Sequence, residues 1–530
     1  MPCRGMPTRH SRNSARGGKI SVRGCSRPLR KQEEIAKAQA LENEKIATLE
    51  KERADSSAIV AQTNAEEALR QRSRAVQQQS IAERNAELAR QQEALALEQS
   101  DSAKRASVRA DQQAAIATEE RNRALSLRML SIGKSMSIKS LQVQGQQDLQ
   151  TLLAYQAYLF NKKNGGLEND ADIYTGLYNV AKQYGGVTYK TFKGHTGAIK
   201  SIVYVPNRNQ FYTSGEDGKV LKWDPNGKDQ TFQVIYSGTD IIEILAINPD
   251  ASWLACGSSN SSIRMIPLKG NNIQYELAGH SGKIKSLIFS YDGKYLYSAS
   301  LDGKVLKWDL AARTSTNITT GNIQITSIDI SSNGNYLAGL SNLGNVIVWN
   351  PENNSDNFRI ETSGRNIKIL RFKPDDNILA LGDINGNVEL WDISTRKKIS
   401  EVKAHNAQVN DIRFNPVLGQ MATASNDKTL KIFNNIADLT EPPISFTDNE
   451  GWVLVINFSN DGRMVVSGSY EGVQNLIGRP SHADFMVTDI CTLVTRNMTP
   501  DEWNTYVARD IPLENTCTDK DYNIKVNVIR

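Results

Sequence analysis

The sequence predicts a long α-helix or coiled coil joined to an all-β propeller of seven blades, with short helices flanking the propeller. Three observations predict this class. Alanine recurs at every seventh position from Ala40 to Ala124 within a stretch free of Gly and Pro. From about residue 187 a β-rich unit repeats at intervals of 41 to 44 residues. In three of those units a His, preceded by Gly in two and by Ala in the third, stands at a fixed distance ahead of an Asp: His195 and Asp217, His280 and Asp302, His405 and Asp427.

The 530 residues exceed one ordinary domain, and their formal net charge of +5 is unevenly placed. Residues 1–31 carry nine Lys and Arg and no acid, so the remainder is net acidic. The segment 1–30 therefore reads as a basic, disordered tail. Such a tail can attract nucleic acid or an anionic membrane. A solvated arm is the better expectation, and nucleic-acid binding is not expected. No apolar core of a signal peptide occurs near the start, and no run approaches the length of a membrane span. A soluble, cytoplasmic chain is expected, tethered to a membrane only if a longer chain exists. The five cysteines (Cys3, Cys25, Cys256, Cys491, Cys517) form no CxxC pair, which argues against a disulfide framework and a zinc site.

Residues 31–124 are rich in Ala, Glu, Gln, Arg and Leu, all good helix formers. A strict seven-residue repeat implies a left-handed supercoil against another helix. The second core position of each heptad is mostly polar, and Ala buries little surface. A weak homodimer, or packing on a helical partner, is the expectation for this segment, with a solvated spacer helix as the alternative. Residues 125–186 are more apolar. "LSLRMLSIGKSMSIKSL", "DLQTLLAYQAYLFNKK" and "DADIYTGLYNVAKQY" read as amphipathic helices of a small adaptor. The "IGKS" at Ile132–Ser135 imitates the end of a phosphate-binding loop. Arg128 stands where that loop needs its first Gly, and the context is helical, so no nucleotide site is expected. Asp170 and Asp172 lack the rest of a calcium loop, and a helix N-cap is the better reading.

In residues 187–480 the segments "KVLKWD" (219–224), "SIRMIP" (262–267), "KVLKWD" (304–309), "NVIVWN" (345–350), "NVELWD" (387–392), "TLKIFN" (429–434) and "GVQNLIG" (472–478) align. Their Trp-equivalent positions are Trp223, Ile266, Trp308, Trp349, Trp391, Phe433 and Ile477. Four short strands per unit at this period resemble WD40 blades. The last repeat ends near Gly478, so "TYKTFK" (188–193) is the expected outer strand of the last blade, closing the ring and removing a free sheet edge.

The WD40 resemblance implies a buried hydrogen-bond chain through His, Ser or Thr, Asp and Trp. Carried over by position, it assigns His195, Thr213, Asp217 and Trp223 in the first repeat and His280, Ser298, Asp302 and Trp308 in the third. In the sixth it assigns His405, Thr423 and Asp427, with Phe433 in place of Trp. The other four repeats lack the His and are expected to rely on apolar packing. Triplication at fixed spacing fits a structural device better than a catalytic site. No nucleophile, metal-ligand or cofactor motif is present, so no catalytic, cofactor or metal residues are assigned and no enzyme is expected. The resemblance also implies a protein-binding face around the Gly-His loops. Glu216, Leu301, Asn426 and Glu471 are its candidates, with Lys283 and Lys304 near Leu301.

Residues 481–530 read as a helical extension. "TPDE" (499–502) is a capping-box helix start preceded by a second helical pattern, which together predict a packed hairpin. Trp503 would lie in its core, or alternatively anchor a partner. The whole order resembles bacterial WD-repeat proteins found as the C-terminal half of STAND-type NTPase or caspase-linked signalling proteins. The expected function is a non-catalytic protein-interaction scaffold. The alternative is the sensor half of such a signalling protein, whose effector domain is absent from this chain.

Overall fold

The computed structural model describes residues 103–518 apart from 144, 186–188, 226–231, 320–323, 352–356, 363, 375–376 and 471–475, together with the helical positions 81 and 84. Side chains of the continuous part are described from Gln112 onward. The basic tail and most of the alanine repeat, including its supercoil, lie outside the described residues.

Three helices precede the β-structure: α1 (Ala103–Gln142), α2 (Gln147–Lys163) and α3 (Ala171–Tyr184). From Gln112 to Leu125 the side chains of α1 are exposed. Its last turns are buried by Met129, Met136, Ser137 and Ser140. Small residues set the helix crossings. A Cβ on Gly133 would meet the Ala157 carbonyl at 3.2 Å, and one on Gly176 would meet Ser137 Oγ at 2.3 Å. The phosphate-loop imitation is therefore a helix contact, with Gly133 in mid-helix and Lys134 Nζ 2.8 Å from Asp170 Oδ2. Asp170 caps α3 by accepting from the N–H groups of Asp172 and Ile173.

Seven four-stranded antiparallel sheets follow. In chain order they are β2–β5 (199–237), β6–β9 (242–277), β10–β13 (284–317), β14–β17 (325–360), β18–β21 (367–403), β22–β25 (409–446) and β26–β28 (453–480). The seventh sheet takes its outer strand from β1 (Lys190–Thr191), which pairs with Gly478 and Ile477. Inner strands alternate buried and half-buried residues, whereas second strands such as β11 (Tyr295–Ser300) are almost wholly buried between neighbouring blades. That pattern is expected of a strand covered on both faces. Phe192 bridges the closure, packed edge-on against Phe211 and Trp223 of the first blade beside Val466 and Leu476 of the seventh.

Each inner strand carries a bulge at the same place, where one residue drops out of register with the second strand. The seven bulged residues are Lys200, Glu243, Lys285, Thr326, Lys368, Asn410 and Leu454. A bulge frees a side chain from the ladder and re-aims it.

The C-terminal extension differs from the expected hairpin. Ala483–Phe485 and Ile490–Leu493 are single 3₁₀ turns, and the one α-helix after the propeller among the described residues is α4 (Pro500–Tyr506). Its capping box joins Thr499 and Glu502. The stretch before it is too short of continuous apolar periodicity to propagate a helix. Trp503 is buried, lies edge-on to Phe160 and donates to the Ile511 carbonyl, so it is core and is closed to a partner. Cys491 and Cys517 form a disulfide, which corrects the expectation from cysteine spacing. The two residues are 26 positions apart, and only the fold around α4 brings their Cα atoms to 5.7 Å.

Candidate functional site

The first question about the site is whether the repeated His, Ser or Thr, and Asp side chains do chemistry. In the third blade Trp308 Nε1 donates to Ser298 Oγ at 2.8 Å, and Ser298 Oγ lies 2.7 Å from His280 Nε2. His280 Nδ1 in turn lies 2.9 Å from Asp302 Oδ2. Asp302 also accepts from the N–H groups of Ser281 and Lys304, which fixes the turn. Blade one repeats the chain through Trp223, Thr213, His195 and Asp217. Blade six repeats it through Thr423, His405 and Asp427, and it ends at Thr423 because Phe433 has no N–H to give. His405 Nδ1 additionally meets Thr429 Oγ1 at 2.9 Å.

Burial holds the three imidazoles below their ordinary value of 6.5, against the pull of the aspartates. Burial would by itself raise the aspartates, but their N–H and His partners outweigh it and keep them below 3.8. Neutral His with ionised Asp fixes one proton arrangement: Nδ1–H donates to the carboxylate, and Nε2 accepts from the hydroxyl. The order Ser, His, Asp imitates a hydrolase triad. Ser298 is fully buried and its oxygen already accepts from Trp308, so no substrate carbonyl can reach it.

The blades without His do not all rely on apolar packing, as the sequence reading expected. In blade five Trp391 Nε1 donates to Glu389, and Asp383 binds its own turn through the N–H groups of Asn385 and Asn387. In blade seven the register pairs Val465 with Arg479, as Leu296 pairs with Trp308 in blade three. Arg479 therefore occupies the Trp position, two residues beyond the predicted Ile477. Its fully buried guanidinium donates to Ser467 Oγ, Asn449 Oδ1 and Asp448 Oδ1 at 2.7–2.9 Å. Arg479 Nε also meets the Tyr178 hydroxyl of α3. Blade four fits the apolar expectation. Gly339 stands at the Ser298 position under the Trp349 ring, and Trp349 Nε1 has no acceptor among the described residues.

In blades one, three and six these networks hold the turn between the second and third strands, and in blade five Asp383 holds its own. The first turn residue donates its N–H to the carbonyl just ahead of the inner strand in all seven blades: Glu216 to Ala198, Ser259 to Ile241, Leu301 to Lys283, Asn342 to Gln324, Ile384 to Asn366, Asn426 to Gln408 and Tyr470 to Trp452. Side chains tie these turns to the bulged residues. Lys200 Nζ lies 2.6 Å from Glu216 Oε1, Asn410 donates to Asn426, and Lys283 and Lys285 both meet Glu243. One face of the propeller thus carries a ring of turn and bulge residues.

Glu216, Leu301 and Asn426 occupy equivalent positions of this ring, while Glu471 lies outside the described residues. The seventh equivalent is Tyr470, whose ring stacks 5.5 Å from Trp452. The sequence reading missed Tyr470, Trp452, Ile384 and Leu343. The signal that finds them is positional: the first turn residue after each second strand for Tyr470 and Ile384, the next turn residue for Leu343, and the residue ahead of the inner strand for Trp452. Among the described residues no group of His, Cys, Asp and Glu could hold a metal ion.

A family model described as "WD domain, G-beta repeat" matches residues 186–224, 271–309 and 314–350. Another, "Anaphase-promoting complex subunit 4 WD40 domain", matches 347–417. The unmatched stretches include blades two and seven, where Ile266 and Arg479 replace Trp. Protein HIR1 of Yarrowia lipolytica is 26% identical over 47% of this chain and 20% of its own length. Human serine-threonine kinase receptor-associated protein is 22% identical over 47% of this chain and 70% of its own length. The solved WD40 beta propeller domain of Doa1 aligns at a TM-score of 0.47 and 20% identity, over 55% of this chain and 94% of that one. The chain thus spans only a fifth of the HIR1 protein. Matched repeats, seven closed sheets and a strand that joins the first segment to the last blade make this chain a WD40-repeat protein with a seven-bladed β-propeller.

Proposed function

We propose that this chain is a non-catalytic scaffold whose propeller binds a protein partner on the face bearing the turn ring. One observation carries the reading: a rigid ring of equivalent positions exposes large apolar side chains that a closed monomer leaves uncovered. Trp452, Tyr470, Leu301 and Ile384 are each more than 40% exposed on it. Exposed aromatic and aliphatic groups on a preorganised frame suit a protein interface. The name of the human relative, a receptor-associated protein, is consistent with this reading.

The test is quantitative affinity capture with the full chain. The wild type is compared with Leu301→Asp/Trp452→Ala and with Phe232→Ala on the outer edge of blade one. Partners lost only with the ring variant support the reading, and partners kept by it overturn the reading.

A homodimer or helical partner through residues 31–124 completes the proposal, supported by the exposed Ile81 and Ile116. Sedimentation equilibrium of the full chain against a chain lacking 31–110 checks it. The alternative, a sensor half of a STAND-type or caspase-linked bacterial protein, draws no support from the eukaryotic relatives named above. No helix among the described residues is long and apolar enough to cross a membrane. The expected cytoplasmic location has the Cys491–Cys517 disulfide against it, because such bonds persist mainly in oxidising compartments.

A further inference from the structure

The turn ring is chemically uneven. Across blades six, seven and one it is aromatic and internally paired, through Trp452 on Tyr470, Asn410 on Asn426 and Lys200 on Glu216. Across blades three, four and five it offers aliphatic side chains: Leu301 is 48% exposed, Leu343 75% and Ile384 43%. This arc is continuous. A Cβ on Gly303 would meet Gln324 of the next blade at 3.1 Å, Asn342 donates to Gln324, and a Cβ on Gly344 would meet Asn366 at 2.8 Å.

The charges of the arc have one sign. Its turn and bulge segments (283–286, 300–304, 324–327, 341–345, 366–369 and 383–387) contain four lysines and two aspartates. Both aspartates are out of reach. The Asp302 side chain is 4% exposed and held by His280, while Asp383 is buried under its own turn. Lys283 and Lys285 share Glu243 of blade two, and Lys304 and Lys368 form no ion pair among the described residues. A ligand on this arc thus meets aliphatic surface interleaved with two ammonium groups, those of Lys304 and Lys368, that lack carboxylate partners among the described residues.

Resting on the platform reading above, we infer that the arc over blades three to five docks an acidic segment of a partner protein bearing bulky aliphatic side chains. Carboxylates answer Lys304 and Lys368, and the aliphatic groups cover Leu301, Leu343 and Ile384. Exposed charge pairs of this kind steer and select more than they bind. They are screened by salt, so affinity falls as ionic strength rises.

The experiment is fluorescence anisotropy on the full chain with two labelled peptide pools of about a dozen residues, one of Asp, Glu, Leu and Ile, the other of Lys, Arg, Leu and Ile. Saturable binding of the acidic pool alone is expected. Lys304→Glu with Lys368→Glu should weaken it about tenfold or more, and Leu343→Ser should weaken it as well. Phe232→Ala, on the outer edge of blade one and off the ring, should leave it unchanged. Melting curves confirm that each variant is folded. Equal binding of the basic pool, no binding of either pool, or full affinity in the folded double charge reversal overturns the inference. If the capture experiment still loses partners with Leu301→Asp/Trp452→Ala, the platform reading survives that failure.

Discussion

At Ser298 one hydroxyl closes a chain of three hydrogen bonds, from Trp308 through His280 to Asp302, with no exposed member able to meet a ligand. His280→Ala orphans both Ser298 and Asp302, so it should destabilise the fold by about 1–3 kcal/mol in urea titration. An unchanged unfolding midpoint would count against the structural role. The pH dependence has a definite sign. The three imidazoles titrate below 6.5 in the folded chain, so the unfolded chain takes up protons first on acidification. Their contribution is complete above about pH 6.5 and declines below it. The aspartates add a second loss below 3.8. Melting temperature should therefore fall steadily from neutral pH downward, and a rise between pH 6.5 and pH 5 would refute the proton assignment.

Arg479 is the residue the sequence concealed. Burial alone raises the Asp448 carboxyl, but Arg479, Lys182 and Tyr178 outweigh it and hold it at about 2. Arg479→Ala leaves that carboxylate without its buried partner and should cost about 3–5 kcal/mol, measured by urea titration. Arg479→Lys, which keeps the charge but lacks the planar fork, should recover only part of the loss. The triplicated histidines were legible because identical spacing repeats three times. Arg479 was not, because the last repeat runs two residues longer before the Trp position, and no pattern in "GVQNLIGRP" marks the shift.

At the scale of elements, ring closure depends on a strand of two residues. β1 covers only Gly478 and Ile477, and the Tyr174 hydroxyl of α3 takes the Pro480 carbonyl beyond it. The helix thus finishes the edge that the strand leaves open. Phe192 locks the seam, and Phe192→Ala should cost about 3–5 kcal/mol in the same titration, nearly as much as an interior core residue of any blade. The six other outer strands show how free edges are managed. Four have four residues or fewer. The two longer ones, β5 (Phe232–Ser237) and β21 (Lys397–Lys403), each carry a register shift. Short or bulged edges resist pairing with another chain. The period and the closing strand could be read from the chain, because the repeat recurs along it and the last repeat ends without an outer strand of its own. The bulges could not, since a one-residue offset leaves the alternation on either side intact.

For the molecule as a whole, the helices and the C-terminal extension form one core with blades six and seven, joining Leu152, Tyr174, Phe446, Ile456 and Trp503. The disulfide fastens the end of this core. Closing a loop of this size is worth about 3.5 kcal/mol by chain entropy. Reduction with a dithiol should lower the melting temperature and admit protease between residues 491 and 517. Indifference to reductant would show that packing alone holds the extension. A propeller cut free before residue 185 would lack Tyr174, Tyr178 and Lys182, so binding assays require the helices.

By itself the sequence determined the repeat, the number of blades and the closing strand, because each rests on a period that recurs along the chain, and its resemblance to WD40 repeats implied the three buried networks. Only the tertiary structure decided the rest. Arg479 stands in for a tryptophan because α3 lies over it. Cys491 reaches Cys517 because α4 folds between them. Seven residues far apart in the chain make one ring because each blade presents the same turn. These outcomes depend on which surfaces meet across hundreds of residues, and no local pattern encodes that meeting.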